Sequence, residues 1–181
     1  MDSVDSSAKL MVATAAEHGH VEDLRLLIDA KADVNETVNN DGSSTPIRHA
    51  ARNGHDLAVQ CLASAKADLS DSWIVFEASE GGHVNVLKVL IAAKVDVVDV
   101  RHITGETALH FAAGVGCSIN AVNFLLGAKA DVDAHDNSGE TPVTIATEHN
   151  HISILRILLE AKADTDNAYC STTNTVLAIE H

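Results

Sequence analysis

Ala30-Lys31-Ala32-Asp33 is a tetrapeptide that returns at Ala65-Lys66-Ala67-Asp68, at Ala128-Lys129-Ala130-Asp131 and at Ala161-Lys162-Ala163-Asp164. A fifth copy, Ala93-Lys94-Val95-Asp96, differs at one residue. The aspartates follow one another at intervals of 35, 28, 35 and 33 residues. Self-similarity at such a period marks stacked supersecondary units, each burying its apolar face only against its neighbours. The fold is decided by this repeat.

Working outward, each copy is preceded by an apolar helical pattern: Val21, Leu24, Leu27 and Ile28; Val84, Leu87, Leu90 and Ile91; Ile152, Leu155, Leu158 and Leu159. Before that pattern lies a shorter helix ending in a tight turn, Gly19-His20, Gly54-His55 or Gly82-His83. Ser7 is expected to cap the first helix over Ala8–Ala16. Thr45 and Pro46 open the second unit, because proline at the first helical position forfeits only an N–H that has no partner there. The third unit is irregular. Trp73 follows Asp68 by five positions where the others take ten to twelve, and Ser72 is the expected cap.

Thr107-Ala108-Leu109-His110-Phe111-Ala112-Ala113 is one residue from a known repeat motif, and Asp131-Val132-Asp133-Ala134-His135-Asp136-Asn137-Ser138-Gly139-Glu140-Thr141-Pro142 matches the connecting finger. With the glycine–histidine turns, these segments closely resemble the ankyrin repeat over residues 7–181. The resemblance implies an all-α solenoid of stacked antiparallel helix pairs with short hairpin fingers. It places one array over 1–181, with repeats at about 7–35, 36–70, 71–98, 99–133 and 134–166 and a partial sixth at 167–181. That sixth unit has one helix and no second, which suggests a fragment of a longer protein.

One departure recurs. The family usually has glycine where this chain has Lys31, Lys66, Lys94, Lys129 and Lys162. Glycine there ends a helix in the left-handed conformation. Lysine in that conformation costs roughly 1–2 kcal/mol, of which a cation at a helix C-terminus recovers about 0.3–1 kcal/mol. The expectation is tolerated strain and not a site.

Composition narrows the function. Twelve basic residues face 26 acidic ones, a net charge of −14. That disfavours nucleic acid and anionic membranes, both of which attract basic surfaces. The polar N-terminus has no secretory pattern and no apolar run is long enough to span a bilayer. Cys61, Cys117 and Cys170 are odd in number, far apart and without Cys-x-x-Cys, as for reduced thiols. These features point to an intracellular protein, cytoplasmic or nuclear, and a monomer.

Eleven histidines invite a metal or catalytic reading. His20, His55, His83 and His151 recur at the same turn, so backbone hydrogen bonding accounts for them. By the resemblance, His110 is a structural histidine bonding a neighbouring loop. His18/His20 and His149/His151 have the spacing of a weak chelate, with no cysteine or carboxylate completing a zinc pattern. Cys61 is expected in the core, and Cys117 reads as a small turn residue. No nucleophile elbow, phosphate loop or His-Glu-x-x-His is present. No catalytic residue, cofactor or metal is expected.

Function then rests on exposed, non-repeating positions. By the resemblance, a partner protein meets the finger tips and the ends of the first helices. Those positions include Asn39, Arg52, Asn53, Trp73, Glu80, Arg101, His102, Ile103, His135, Asn137, Glu148, His149 and Tyr169. Trp73 is expected to fold down beside Phe76 and fill the space left by the short finger, with an exposed partner anchor as the alternative. The reading is a non-catalytic adaptor, scaffold or inhibitor; the alternative is a regulatory or substrate-recruiting segment of a larger enzyme.

Overall fold

The computed structural model describes residues 3–37, 45–114 and 118–165, with side chains from residue 10 onward. Asn39, Cys117, Tyr169, Cys170 and the partial sixth unit lie outside the described residues. Among those described, all regular secondary structure is α-helical. The helices are α1 (Ser3–Glu17), α2 (Val21–Asp29), α3 (Pro46–Arg52), α4 (Asp56–Ser64), α5 (Trp73–Glu80), α6 (Val84–Ala92), α7 (Ala108–Ala113), α8 (Ile119–Gly127), α9 (Pro142–Glu148) and α10 (Ile152–Glu160). They alternate as the repeat predicts, a first helix and then a second, in five successive pairs.

Contacts divide the chain into two compact units, Met1–Ala78 with Asn85–Val95, and Ser79–Val84 with Asp96–His181. In the first unit α1 packs on α2 and α3, and α4 on α2 and α3. Its core is aliphatic and small, with Ala16, Leu24, Ile47, Ala50, Val59 and Leu62 fully buried. In the second unit α7 packs on α8 and α9, and α10 on α8 and α9. There Leu109, Ala112, Val122, Leu125, Ala146, Ile154 and Leu158 are buried. Alanines facing the short first helices let neighbouring backbones approach closely, and leucines from the second helices fill the layer behind.

Two left-handed turns recur and have different owners. At the second-helix ends Lys31, Lys66, Lys94, Lys129 and Lys162 have φ of 66°, 65°, 69°, 74° and 67°. Each closes a pair of reverse bonds. The Lys31 N–H donates to Ile28 O at 3.0 Å and the Ala32 N–H to Leu27 O at 3.0 Å, and Lys129 and Ala130 bond Leu126 and Leu125 alike. All five lysines are exposed, so a Cβ there strains only its own backbone. At the first-helix ends the left-handed residue is Gly19, Gly54, Gly82 or Asn150. A Cβ on Gly19 would lie 2.7 Å from the His55 ring, so that turn excludes a side chain, whereas the lysine turns and Asn150 carry one.

Two local expectations need correction. The first helix begins at Ser3 and not after a Ser7 cap, since residues 3–7 hold neither proline nor glycine to stop it. At α5, where Ser72 is the expected cap, the Asp71 Oδ1 also takes the Trp73 N–H at 3.0 Å, a charge-assisted bond. Cys61 is half-buried and not sealed in the core, because α4 turns Ala58, Val59 and Leu62 inward and leaves Cys61 on its flank.

Candidate protein-binding surface

The expected contact residues divide between the two units. Arg52, Asn53 and Trp73 belong to the first; Glu80, Arg101, His102, Ile103, His135, Asn137, Glu148 and His149 belong to the second.

Five of the second group are brought together by the fingers. Residues 101–107 form a narrow hairpin: Arg101 and Thr107 bridge antiparallel, the His102 N–H donates to Glu106 O at 2.8 Å, and the Gly105 N–H to His102 O at 2.8 Å. The next finger repeats the pattern, with the Asp136 N–H donating to Glu140 O at 2.9 Å and the Gly139 N–H to Asp136 O at 3.2 Å. Gly105 and Gly139 take φ of 85° and 84°, which the turns need. The two hairpins are tied side by side. The Asn137 N–H donates to Thr104 O at 2.8 Å and Asn137 Nδ2 to Ile103 O at 3.0 Å. Arg101 Nη1 donates to Gly105 O and to His135 O, both at 2.9 Å.

This geometry changes the roles read from sequence. Arg101 and Asn137 are struts whose donors join neighbouring fingers. What they hold out is Ile103, 86% exposed at the tip. His102 stacks edge-on against Phe111, with centroids 5.8 Å apart, and its Nδ1 sits 2.6 Å from Thr104 Oγ1, which donates to Glu106 Oε2. His135 is exposed and lends its carbonyl.

The root of the fingers is fixed by His110, 1% exposed. Its Nδ1 accepts the Thr107 N–H at 3.1 Å and lies 2.8 Å from Thr107 Oγ1, so the proton sits on Nε2 and donates to Glu140 O at 3.2 Å. Burial holds its pKa below the ordinary value; the Glu140 carbonyl, Asp136 and Glu106 pull it up, and Arg101 pushes it down. The Glu140 carboxyl is raised, first by burial and then by Glu148, Asp136 and Glu106, with His149 opposing. The finger surface is acidic.

The helix ends are simpler. Asn53 Nδ2 caps its own helix at His49 O, 2.9 Å, and His149 Nδ1 bonds Ile145 O at 3.0 Å. Arg52, Glu148 and His149 are exposed, and Glu80 is half-buried. Two of the turn histidines, His55 and His151, behave as the repeat implied, while His20 lies beside the Asp23 carboxylate. His55 Nε2 reaches Glu17 O at 3.0 Å and His151 Nδ1 reaches Ala113 O at 2.9 Å, each bonding the preceding first helix.

Trp73 is half-buried and meets Phe76 edge to face at 6.0 Å, as the packing expectation required. Sequence reasoning missed its other neighbour. Arg48 Cζ lies 5.0 Å over the indole, and the guanidinium donates through Nε and Nη2 to Glu77 Oε1 at 3.2 and 2.9 Å. Arg48 Nη1 is also 3.8 Å from Asp71. The available signal was Arg48 itself, which stands where the motif has histidine. Among the described residues no group of three or more His, Cys, Asp or Glu side chains is placed to hold a metal ion.

Known proteins carry the same pattern. A family model described as ankyrin repeats (3 copies) matches residues 74–169, and a second, ankyrin repeats (many copies), matches residues 12–63. The Neurogenic locus Notch protein of Drosophila melanogaster is 29% identical over 84% of this chain and 6% of its own length. The E3 ubiquitin-protein ligase XBAT33 of Arabidopsis thaliana is 25% identical over 84% of this chain and 31% of its own. The Tyrosine-protein kinase HTK16 of Hydra vulgaris is 38% identical over 45% of this chain and 11% of its own. The chain thus spans less than a third of the length of each of these relatives. By its repeats, its helix pairs and these matches, the chain belongs to the ankyrin repeat family.

Proposed function

We propose that residues 1–181 form one repeat array that acts in the cytoplasm or nucleus as a non-catalytic protein-binding module, an adaptor, scaffold or inhibitor. The observation that carries this reading is the cross-tied finger pair of the second unit. Arg101, Asn137 and His110 spend their donors on backbone carbonyls and hold Ile103 outward, so little side-chain or loop entropy remains to be lost on binding. An acidic surface with one apolar tip suits a protein and not a nucleic acid or an anionic membrane.

The test is affinity capture from the native cell with the wild-type chain beside Ile103→Asp and Arg52→Glu. A partner protein retained by the wild type and lost from one variant, with helicity unchanged, is the expected result. Capture of the same proteins by all three would remove these positions from the surface. A second reading, a regulatory or substrate-recruiting segment of a larger enzyme, draws on the ligase and the kinase among the relatives. The full reading frame decides between them.

A further inference from the structure

We infer that Asn53-Gly54 is a site of self-modification, protected by the folded turn and converted irreversibly to aspartate or isoaspartate when that turn opens. Of the asparagines in the chain, Asn53 alone is followed by glycine. Glycine has no Cβ to screen its nitrogen from the preceding side chain. No enzyme is needed. The Gly54 nitrogen attacks Asn53 Cγ, a new C–N bond closes a five-membered ring, and the Cγ–Nδ2 bond breaks. The Gly54 proton leaves with Nδ2 as ammonia. Water then opens the cyclic imide at either carbonyl, giving aspartate or its isomer.

The Asn53 side chain is exposed to water, and yet the turn holds the reaction off. Asn53 ends α3 with φ of −92° and ψ of 3°. Ring closure needs Cβ and the Gly54 nitrogen on the same side of the Cα–C bond, a large rotation from that ψ. The attacking and leaving nitrogens are both engaged. The Gly54 N–H donates to Ala51 O at 3.1 Å, and Asn53 Nδ2 donates to His49 O at 2.9 Å. Beyond them the His55 N–H holds Ala50 O at 2.9 Å and its ring Nε2 holds Glu17 O at 3.0 Å. The end of α3 must therefore come apart before the ring can close. The product weakens the same turn. A carboxylate at this position cannot donate to His49 O, and it sets negative charge beside the free carbonyls of a helix C-terminus. The site thus records openings of the first unit in one direction only.

Peptide mapping of the full chain by mass spectrometry tests this, with samples held at mildly alkaline pH across a urea series. The expected result is conversion at Asn53 that is more than about tenfold slower in the folded chain than in the urea-unfolded one. Below the unfolding midpoint the rate should rise with urea in step with hydrogen exchange at the Gly54 amide. Asn53→Asp, the direct product, should unfold at lower urea than the wild type. An Asn53 that stays intact in the unfolded chain overturns the proposal. So does conversion as fast in the folded chain as in the unfolded one, or an Asn53→Asp midpoint equal to that of the wild type.

Discussion

The two units solve the same joint differently. In the second, His110 fastens α7 to the next finger through the Glu140 carbonyl and closes the Thr107 cap behind it. In the first, the same motif position is Arg48, which bypasses the short finger and bonds Glu77 on α5. The neutral ring leaves its helix start satisfied. The charged fork does not: Thr45 Oγ1 and Glu77 Oε2 are buried without a hydrogen-bond partner. A five-position connection cannot carry a finger carbonyl to where a histidine would meet it, and only a longer side chain spans the gap. The lesson is that one register position can be filled by a neutral or an ionic link, and the ionic one is more exposed to single changes.

The largest expected effect follows from that asymmetry. The Arg48 and Glu77 side chains are 19% and 10% exposed, so removing either strands the other's charge in a poorly hydrated place. Arg48→Ala or Glu77→Ala should destabilise the first unit by about 2–4 kcal/mol in urea unfolding. The double-mutant cycle should show coupling of about 1–3 kcal/mol. Trp73 is the only tryptophan, so its emission should move red in Arg48→Ala as the indole loses its cover. Losses under about 0.5 kcal/mol, the range of surface changes, would make this an ordinary exposed pair.

Next comes His110, where the comparison turns on pH. Its folded pKa lies below the unfolded one, so the unfolded chain takes up the proton first. Its contribution is complete above the ordinary histidine value of 6.5 and is lost as pH falls from there toward the folded pKa. Asp136, Glu106 and the Glu140 carbonyl soften the loss by favouring the charged ring, and Arg101 deepens it. Glu140, with a raised pKa, acts with the opposite sign and nearer its ordinary 4.5. His110→Gln should destabilise the second unit by about 1–3 kcal/mol at neutral pH. It should also flatten the fall in urea midpoint between neutral and mildly acid pH. An unchanged slope would show that another group carries it.

What was legible in the sequence is what the period writes more than once. The Ala-Lys-Ala-Asp copies located the second-helix ends, and the lysines are left-handed as a glycine position requires. His110, His55 and His151 were readable because a motif fixed their partners. The Arg48–Glu77 link was not, since it joins residues 29 apart that belong to no common pattern. Arg101 reads in the sequence as an interface anchor, arginine being common there. That its Nη1 also ties two backbone carbonyls, Gly105 and His135, is not written in the repeat. The Trp73–Phe76 contact was legible, one helical turn being enough to specify it.

A smaller effect tests how closely the glycine turns are packed. Gly19→Ala combines φ of +68° with a Cβ lying 2.7 Å from the His55 ring. The backbone conformation alone costs about 1–2 kcal/mol, and displacing His55 from Glu17 O adds to it. His55→Ala should reduce the penalty by opening the space. If Gly19→Ala is as damaging in the His55→Ala background as in the wild type, conformation and not crowding holds that glycine.

The smallest effect should be the same in both units, which makes it the control for the comparison. Lys66 in the first and Lys129 in the second have φ of 65° and 74°, both are exposed, and each closes the same pair of reverse bonds. Replacing either by glycine relieves roughly 1–2 kcal/mol of left-handed strain. Against this stand a lost cation at the helix C-terminus, about 0.3–1 kcal/mol, and a more flexible unfolded chain, about 0.4–1 kcal/mol. The terms nearly cancel, leaving a change within about 1 kcal/mol of zero. Thermal unfolding of Lys66→Gly and Lys129→Gly should move by the same small amount, because nothing at these turns distinguishes the units. A loss of several degrees in one and not the other would mean that lysine makes a contact there which the shared turn geometry does not require. The difference between the units would then extend from the first-helix joint to the second-helix ends.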